Sequence, residues 1–331
     1  MKKPAVKILP PVPRVPAPPT RALPAGAILI LAALLLPLPS CKGPAGETGK
    51  TDRQVQAETR PLRMGFMICD SVEDTRRRFE PLTRHVSQVT GLPIEPVYLN
   101  TFDVPEAYER GELDITHTNS LLYIMMREKG LEPLAGEKRG SMGTMAAGGI
   151  AVRADSDIET LADLKGRSMV FGPMMSPTGY LAQYELLLNA GIDPEVDLDF
   201  YAIPWGAYKH EKVVYGVWMG AYDAAAVPLL DLEIMVAQRK IGGDDLRIIA
   251  RNDAVPYCVF GVSPSVPEET RNAVRSALMN LTGDVTVPVG EEVVAVLRAA
   301  EVDGFVPIRD TDFDRLREMA KKTNMPPYQE Y

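Results

Sequence analysis

Beyond residue 60, short apolar runs alternate with amphipathic stretches for the rest of the chain. Residues 63–69 form an apolar run of strand length. Residues 75–90 then carry Phe79, Leu82, Val86 and Val89 on one stripe, the spacing of a helix face, with Gly91 as its stop. Residues 94–98 read as a strand, and Asp103 caps a short helix with Pro105 in its first turn. A strand over 113–116 leads to Asn119, which opens a helix over 120–129, and 145–152 is again a strand with Gly148-Gly149 near its middle. The pattern restarts with a helix at 161–164, a strand at 168–171 and a helix at 179–189 ending at Gly191. Strands at 200–203, 222–227 and 246–250 alternate with helices at 209–219 and 229–238. A strand at 259–262 and helices at 267–281, 291–299 and 312–322 complete the chain. Such alternation predicts mainly parallel sheets with helices on both faces. Ligands of such sheets sit at the carboxyl ends of strands, where helix N-termini aim amide N–H groups.

Composition narrows this picture. The 331 residues are 46% hydrophobic and 24% charged, values of a folded protein with room for about two domains. The net charge of −8 argues against a nucleic-acid partner, which needs a basic stripe to displace counterions. Three cysteines without CxxC spacing make no disulfide framework, and three histidines (His85, His117, His210) make no multi-histidine metal site. No cofactor and no metal are expected.

The first forty residues read as an address. Lys2, Lys3, Lys7, Arg14 and Arg21 precede an apolar run at 25–36, and no acid occurs before Glu47. Twelve helical residues span about 18 Å, short of the ~30 Å hydrocarbon core, so the run is too short for a permanent span. It ends in Leu38-Pro39-Ser40-Cys41, which resembles a bacterial lipobox and implies cleavage before Cys41 and lipidation of its sulfur. An ordinary signal peptide with Cys41 incidental is the other reading. Residues 41–61 are Gly/Pro/polar and read as a flexible tether.

Three polar strand-to-helix junctions carry candidate chemistry. Residues 172–180 offer Ser176, Thr178, Gly179 and helix-start amides, neutral donors suited to an anion. Residues 116–120 end in Asn119 and Ser120, and residues 205–210 end in His210. Each junction also reads as an ordinary helix cap, and together they are stronger than any alone.

The order of segments resembles the periplasmic phosphate/phosphite/phosphonate-binding proteins of ABC importers, a group of type II substrate-binding proteins, from about residue 62 to 322. The resemblance is carried by Phe79-Glu80-Pro81-Leu82, Gly111-Glu112-Leu113-Asp114-Ile115 and Thr160-Leu161-Ala162-Asp163-Leu164-Lys165-Gly166. More specific are Ser176-Pro177-Thr178-Gly179-Tyr180, Lys209-His210-Glu211 and Tyr222-Asp223-Ala224-Ala225-Ala226-Val227. It implies a two-lobed α/β fold, with lobe one at 62–150 plus 256–331 and lobe two at 151–255. The chain would cross twice, at 149–152 and 251–257. Hinge closure on a small oxyanion and docking to a permease would follow, with Ser176, Thr178, Gly179, Tyr180 and His210 as donors from lobe two and Ser71, Tyr98, Asn119 and Ser120 from lobe one. The expected protein is a monomer held at the membrane through lipid on Cys41, on the periplasmic or extracellular face.

This chain departs from the family pattern at Pro177, at Asn119-Ser120 in place of Asn-Pro, and at Tyr257-Cys258, where some phosphonate binders place an acid for a ligand amine. A small oxyanion therefore fits better than an aminoalkylphosphonate. Two other functions remain open on the same fold. One is a thiaminase-like enzyme using Cys69 or Cys258, both expected near the cleft, and the other is a ligand-sensing lipoprotein without a transporter.

Overall fold

The computed structural model describes residues 60–69, 71–204 and 210–330. The leader, Cys41, nearly all of the tether and residues 205–209 of the third junction lie outside them. Among the described residues no helix is long and apolar enough to cross a membrane.

The chain begins with β1 (Leu62–Met67), α1 (Val72–Thr90), β2 (Ile94–Leu99) and α2 (Asp103–Glu109). It continues with β3 (Ile115–Asn119), α3 (Ser120–Arg127), β4 (Glu132–Lys138), β5 (Met145–Ala146) and β6 (Gly148–Arg153). Next come β7 (Ser168–Val170), a π-type turn at Pro177–Leu181, α4 (Ala182–Asn189), α5 (Pro194–Asp197) and β8 (Phe200–Ala202). Then follow α6 (His210–Trp218), β9 (Ala224–Pro228), α7 (Leu229–Ala237), β10 (Leu246–Arg251), β11 (Val255–Pro256) and β12 (Cys258–Val262). The chain closes with α8 (Glu268–Met279), β13 (Thr286–Val289), β14 (Glu292–Ala295), α9 (Val296–Ala300), β15 (Gly304–Val306) and α10 (Asp314–Lys322).

These strands form two main sheets of the same winding. The first runs β15-β4-β12-β3-β1-β2 and the second β10-β6-β9-β7-β8. In each, the strands that end βα units run one way, and one strand delivered from the other sheet is inserted antiparallel: β12 between β3 and β4, and β6 between β9 and β10. The two crossing segments pair as a short ribbon, Val255 opposite Ala146 and Pro256 opposite Met145. The buried Asn252 ties them further, its side-chain oxygen accepting from the Gly148 N–H at 2.6 Å. β6 begins at Gly148, and the second sheet takes up the chain there.

Local sequence explains most elements. Ser71 caps α1, and Gly91 ends it in the left-handed region at φ 67°, where only glycine is free of strain. Two segments differ from expectation. Residues 286–295 form a hairpin about Gly290 (φ 61°) instead of leading into a helix at 291, because Val-rich alternation favours a strand over the first half of that window. The strand expected at 113–116 is shifted to Ile115–Asn119, since the polar Thr116, His117 and Thr118 are buried and β3 lies between β1 and β12.

The C-terminal helix joins the two halves. Leu316, Met319 and Ala320 of α10 share a core with Leu121 and Tyr123 of α3 and with Leu181 and Leu187 on the second sheet's side. Arg315 holds the buried Glu185 of α4 with two hydrogen bonds of 2.5 and 2.9 Å. Breaking such a pair from one side costs about 3–5 kcal/mol, because it leaves a buried carboxylate uncompensated.

Asp310, just before α10, accepts from Tyr123 of α3 at 2.8 Å and from Arg317 at 2.5 Å. Burial pushes its carboxyl up, but Arg317 and Tyr123 outweigh this and hold it below the usual range. A depressed carboxylate stabilises the fold above its unfolded pKa of about 3.9, and that stability is lost as pH falls through the folded value. Asp310→Asn should therefore lose about 1 kcal/mol at pH 7, a modest figure because the carboxylate is partly exposed. Denaturant melts at pH 7 and pH 3 check this: the difference between wild type and variant shrinks on acidification.

Candidate functional site

The loop after β7 folds back on itself. Gly172 N–H donates to the Gly179 carbonyl at 2.8 Å, and the Ser176 hydroxyl accepts from the Gly179 N–H at 3.0 Å. Pro177 starts the π-type turn, which runs directly into α4, so the amides of its first residues have no acceptor earlier in the helix. His210, the first residue of α6, lies against this loop with Nε2 3.4 Å from the Ser176 hydroxyl. A Cβ on Gly179 would stand 2.3 Å from the imidazole, and one on Gly172 would stand 2.8 Å from it. Both glycines are thus needed for the ring to approach the backbone.

Gln183 anchors the loop from below. Fully buried on α4, it donates to the carbonyls of Thr178 (2.7 Å), Gly149 (3.1 Å) and Val227 (3.2 Å). The loop is thereby fixed to β6 and β9, and Gly148 has no side chain because a Cβ there would meet Gln183 at 2.3 Å. Sequence reasoning missed Gln183, since a glutamine in a helix reads as solvent-facing and only the adjacent Gly148-Gly149 hints at a close approach.

From the first sheet, Asn119 ends β3 and reaches the same loop. Its side-chain oxygen accepts from Leu122 N–H at 3.0 Å, capping α3, while its amide donates to the Met175 carbonyl at 3.0 Å. Ser120 beside it is fully buried, and its hydroxyl has no hydrogen-bond partner among the described residues. The structure thus brings Ser176, Thr178, Gly179, His210 and Asn119 to one junction, with Ser120 adjoining.

Tyr180 belongs to this turn through its backbone, its N–H donating to the Ser176 carbonyl at 3.2 Å, while the side chains of the other candidates turn elsewhere. Tyr180 packs its ring among Phe171, Tyr184 and Tyr201, and burial pushes its hydroxyl pKa up. Ser71 spends its hydroxyl on Asp74 at the start of α1. Tyr98 stacks on Phe66 at 5.9 Å beneath the Arg76 guanidinium and lines a groove with Glu80 and Arg84. Its hydroxyl is pushed up to about 12, chiefly by burial. Among the described residues, no hydrogen bond or ring contact ties Ser71 or Tyr98 to Ser176, His210 or Asn119.

The cysteines lie at the same end of the first sheet. Cys69 follows β1, and Cys258 stands opposite Asn119 across the β3–β12 ladder. Burial first, then Glu137 and Cys69, push the Cys258 thiol well above its ordinary range, the direction opposite to activation as a nucleophile. A buried His117–Glu137 pair at 2.8 Å lies beside it, which the sequence did not signal.

Comparison with known proteins agrees with this architecture. PhnD1 of Prochlorococcus marinus in complex with methylphosphonate superposes with a TM-score of 0.66 at 16% identity, covering 80% of this chain and 98% of that one. A binding-protein component of an ABC phosphonate transporter from Pseudomonas aeruginosa gives a TM-score of 0.63 at 16% identity, with coverage of 80% and 87%. These likenesses establish the fold, that of a type II periplasmic binding protein. In sequence, the tetrathionate sensor histidine kinase TtrS of Salmonella typhimurium is 25% identical over 235 residues, which cover 66% of this chain and 39% of the kinase. The family model for the phosphonate periplasmic substrate-binding protein of ABC transporters matches residues 64–313, three quarters of the chain, and the chain belongs to that family.

Proposed function

We propose that this protein is a lipid-anchored, extracytoplasmic and monomeric solute-binding protein that captures phosphate, phosphite or a phosphonate and delivers it to an ABC permease. The observation that carries the reading is the junction of Ser176, Gly179 and His210 with Asn119, a set of polar groups from both sheets meeting at strand ends. Residues 62–150 plus 256–331 act as one lobe and 151–255 as the other, closing about the ribbon of β5 and β11. Donors at the junction are hydroxyl, amide and imidazole groups, which stabilise an oxyanion without matching its full charge. Each hydrogen bond to a charged oxygen contributes roughly 1.5–3 kcal/mol, so four or five offset the ordering of two lobes and yield micromolar or tighter binding.

Binding rather than catalysis is supported by the family. A second reading, ligand sensing without transport, is favoured by the likeness to a sensor kinase over 66% of this chain. Both readings use the same cleft, and both require that the cleft bind an oxyanion.

Calorimetry with phosphate, phosphite, methylphosphonate, aminoethylphosphonate and sulfate tests this requirement. The expected result is saturable binding of at least one phosphorus oxyanion in preference to sulfate, with aminoethylphosphonate weak because no acid follows Pro256. Absence of binding by every phosphorus compound would overturn the reading. Ser176→Ala should weaken the preferred ligand about ten- to a hundredfold, the loss of one charged hydrogen bond, and an unchanged Kd would place the ligand elsewhere. For the anchor, Cys41→Ser should abolish incorporation of radiolabelled palmitate and release the protein from washed membranes. Retention of label would move the attachment away from Cys41.

A further inference from the structure

Three side chains with metal-binding donor atoms converge inside the first sheet. His117 comes from β3, Glu137 from β4 and Cys258 from β12, the strand between them. One nitrogen, one carboxylate oxygen and the sulfur lie within 4.8 Å of one another. All three residues are buried, Glu137 most completely at 1% exposure. The second oxygen of Glu137 is buried as well and meets no hydrogen-bond donor among the described residues, while the first bonds His117 Nε2. A buried carboxylate oxygen without a donor is costly and calls for an explanation. Phe66, Phe79 and Phe260 stand around the imidazole at centroid distances of 6.0, 4.6 and 4.7 Å, so aromatic rings surround it on several sides. The nearby guanidiniums of Arg78 and Arg139 both reach Glu301, which offsets their charge.

We propose that His117, Glu137 and Cys258 bind a divalent cation of the zinc class. A mixed nitrogen, oxygen and sulfur set matches borderline-soft ions in preference to magnesium or calcium, which take oxygen ligands. Binding draws the donors to about 2.0–2.3 Å from a shared centre and replaces the His117–Glu137 hydrogen bond by two coordinate bonds. The thiol loses its proton to solvent as the sulfur–metal bond forms, and the proton held between His117 Nε2 and Glu137 passes to the other imidazole nitrogen, so that Nε2 offers the metal its lone pair. Three protein ligands leave one tetrahedral position open. None of the three residues belongs to the oxyanion set, so this site stands or falls independently of the ligand reading.

The test uses the full chain, stripped with chelator and kept reduced, with Co²⁺ as the probe. The expected result is one ion per chain, with the near-ultraviolet absorption of a thiolate–cobalt bond, displaced by Zn²⁺ with a rise in the thermal midpoint. Cys258→Ser should abolish that absorption, and Glu137→Gln, which keeps a side chain able to bond His117, should weaken Co²⁺ at least about tenfold. Cys69→Ser should change neither. Circular dichroism separates folded variants from unfolded ones, and the wild-type titration stands even where a variant fails to fold. No stoichiometric binding of either ion to the wild type would overturn the proposal and leave a buried ion pair beside a thiol. So would absorption that survives Cys258→Ser or disappears in Cys69→Ser.

Discussion

The close approach of Gly148 to the turn after β7 is the constraint on which the site depends. Gly148 gives its N–H to Asn252 at the crossing, and its missing side chain leaves room for Gln183 to reach three carbonyls at once. The same backbone is therefore the start of the inserted strand, half of the crossing and the floor under the 172–180 loop. Any side chain at 148 would push the Thr178 carbonyl, 2.5 Å from a Cβ, and with it the donors above. Crossing and loop are in this way built from one piece of chain.

Above that floor the chemistry is polar and sparing. Ser176 accepts from the Gly179 N–H, which leaves the hydroxyl proton for another acceptor, and glycine backbone on two sides holds the imidazole of His210 in place. Asn119 reaches the loop from the opposite sheet while still capping its own helix. Since each of these groups has a structural partner, a bound anion would exchange bonds already organised instead of ordering free side chains, which lowers the entropy lost on binding.

Much of this was legible in the sequence, for identifiable reasons. Period-3.6 stripes and glycine stops located α1 and its end at Gly91, and the Ser-x-Thr-Gly run at a strand-to-helix junction marked the loop that meets His210. Buried polar residues defeated the reading elsewhere. Thr116, His117 and Thr118 read as a polar junction, whereas they are strand residues in the middle of a sheet. Tyr98 and Tyr180 read as hydroxyl donors, and nothing in the sequence signals that their rings pack against Phe66 and Phe171. The pairing of His117 with Glu137 was invisible because both flank a strand, β12, that arrives much later in the chain, through a crossover no local pattern records.

The central claim is that donors from both sheets close on one oxyanion. A crystal structure of the protein with methylphosphonate tests it most directly. The account predicts phosphonate oxygens within hydrogen-bond distance of Ser176 Oγ, the Gly179 N–H and His210, with Asn119 facing them from the first sheet. A phosphonate bound away from the 172–180 loop, or held by one sheet alone, would contradict it.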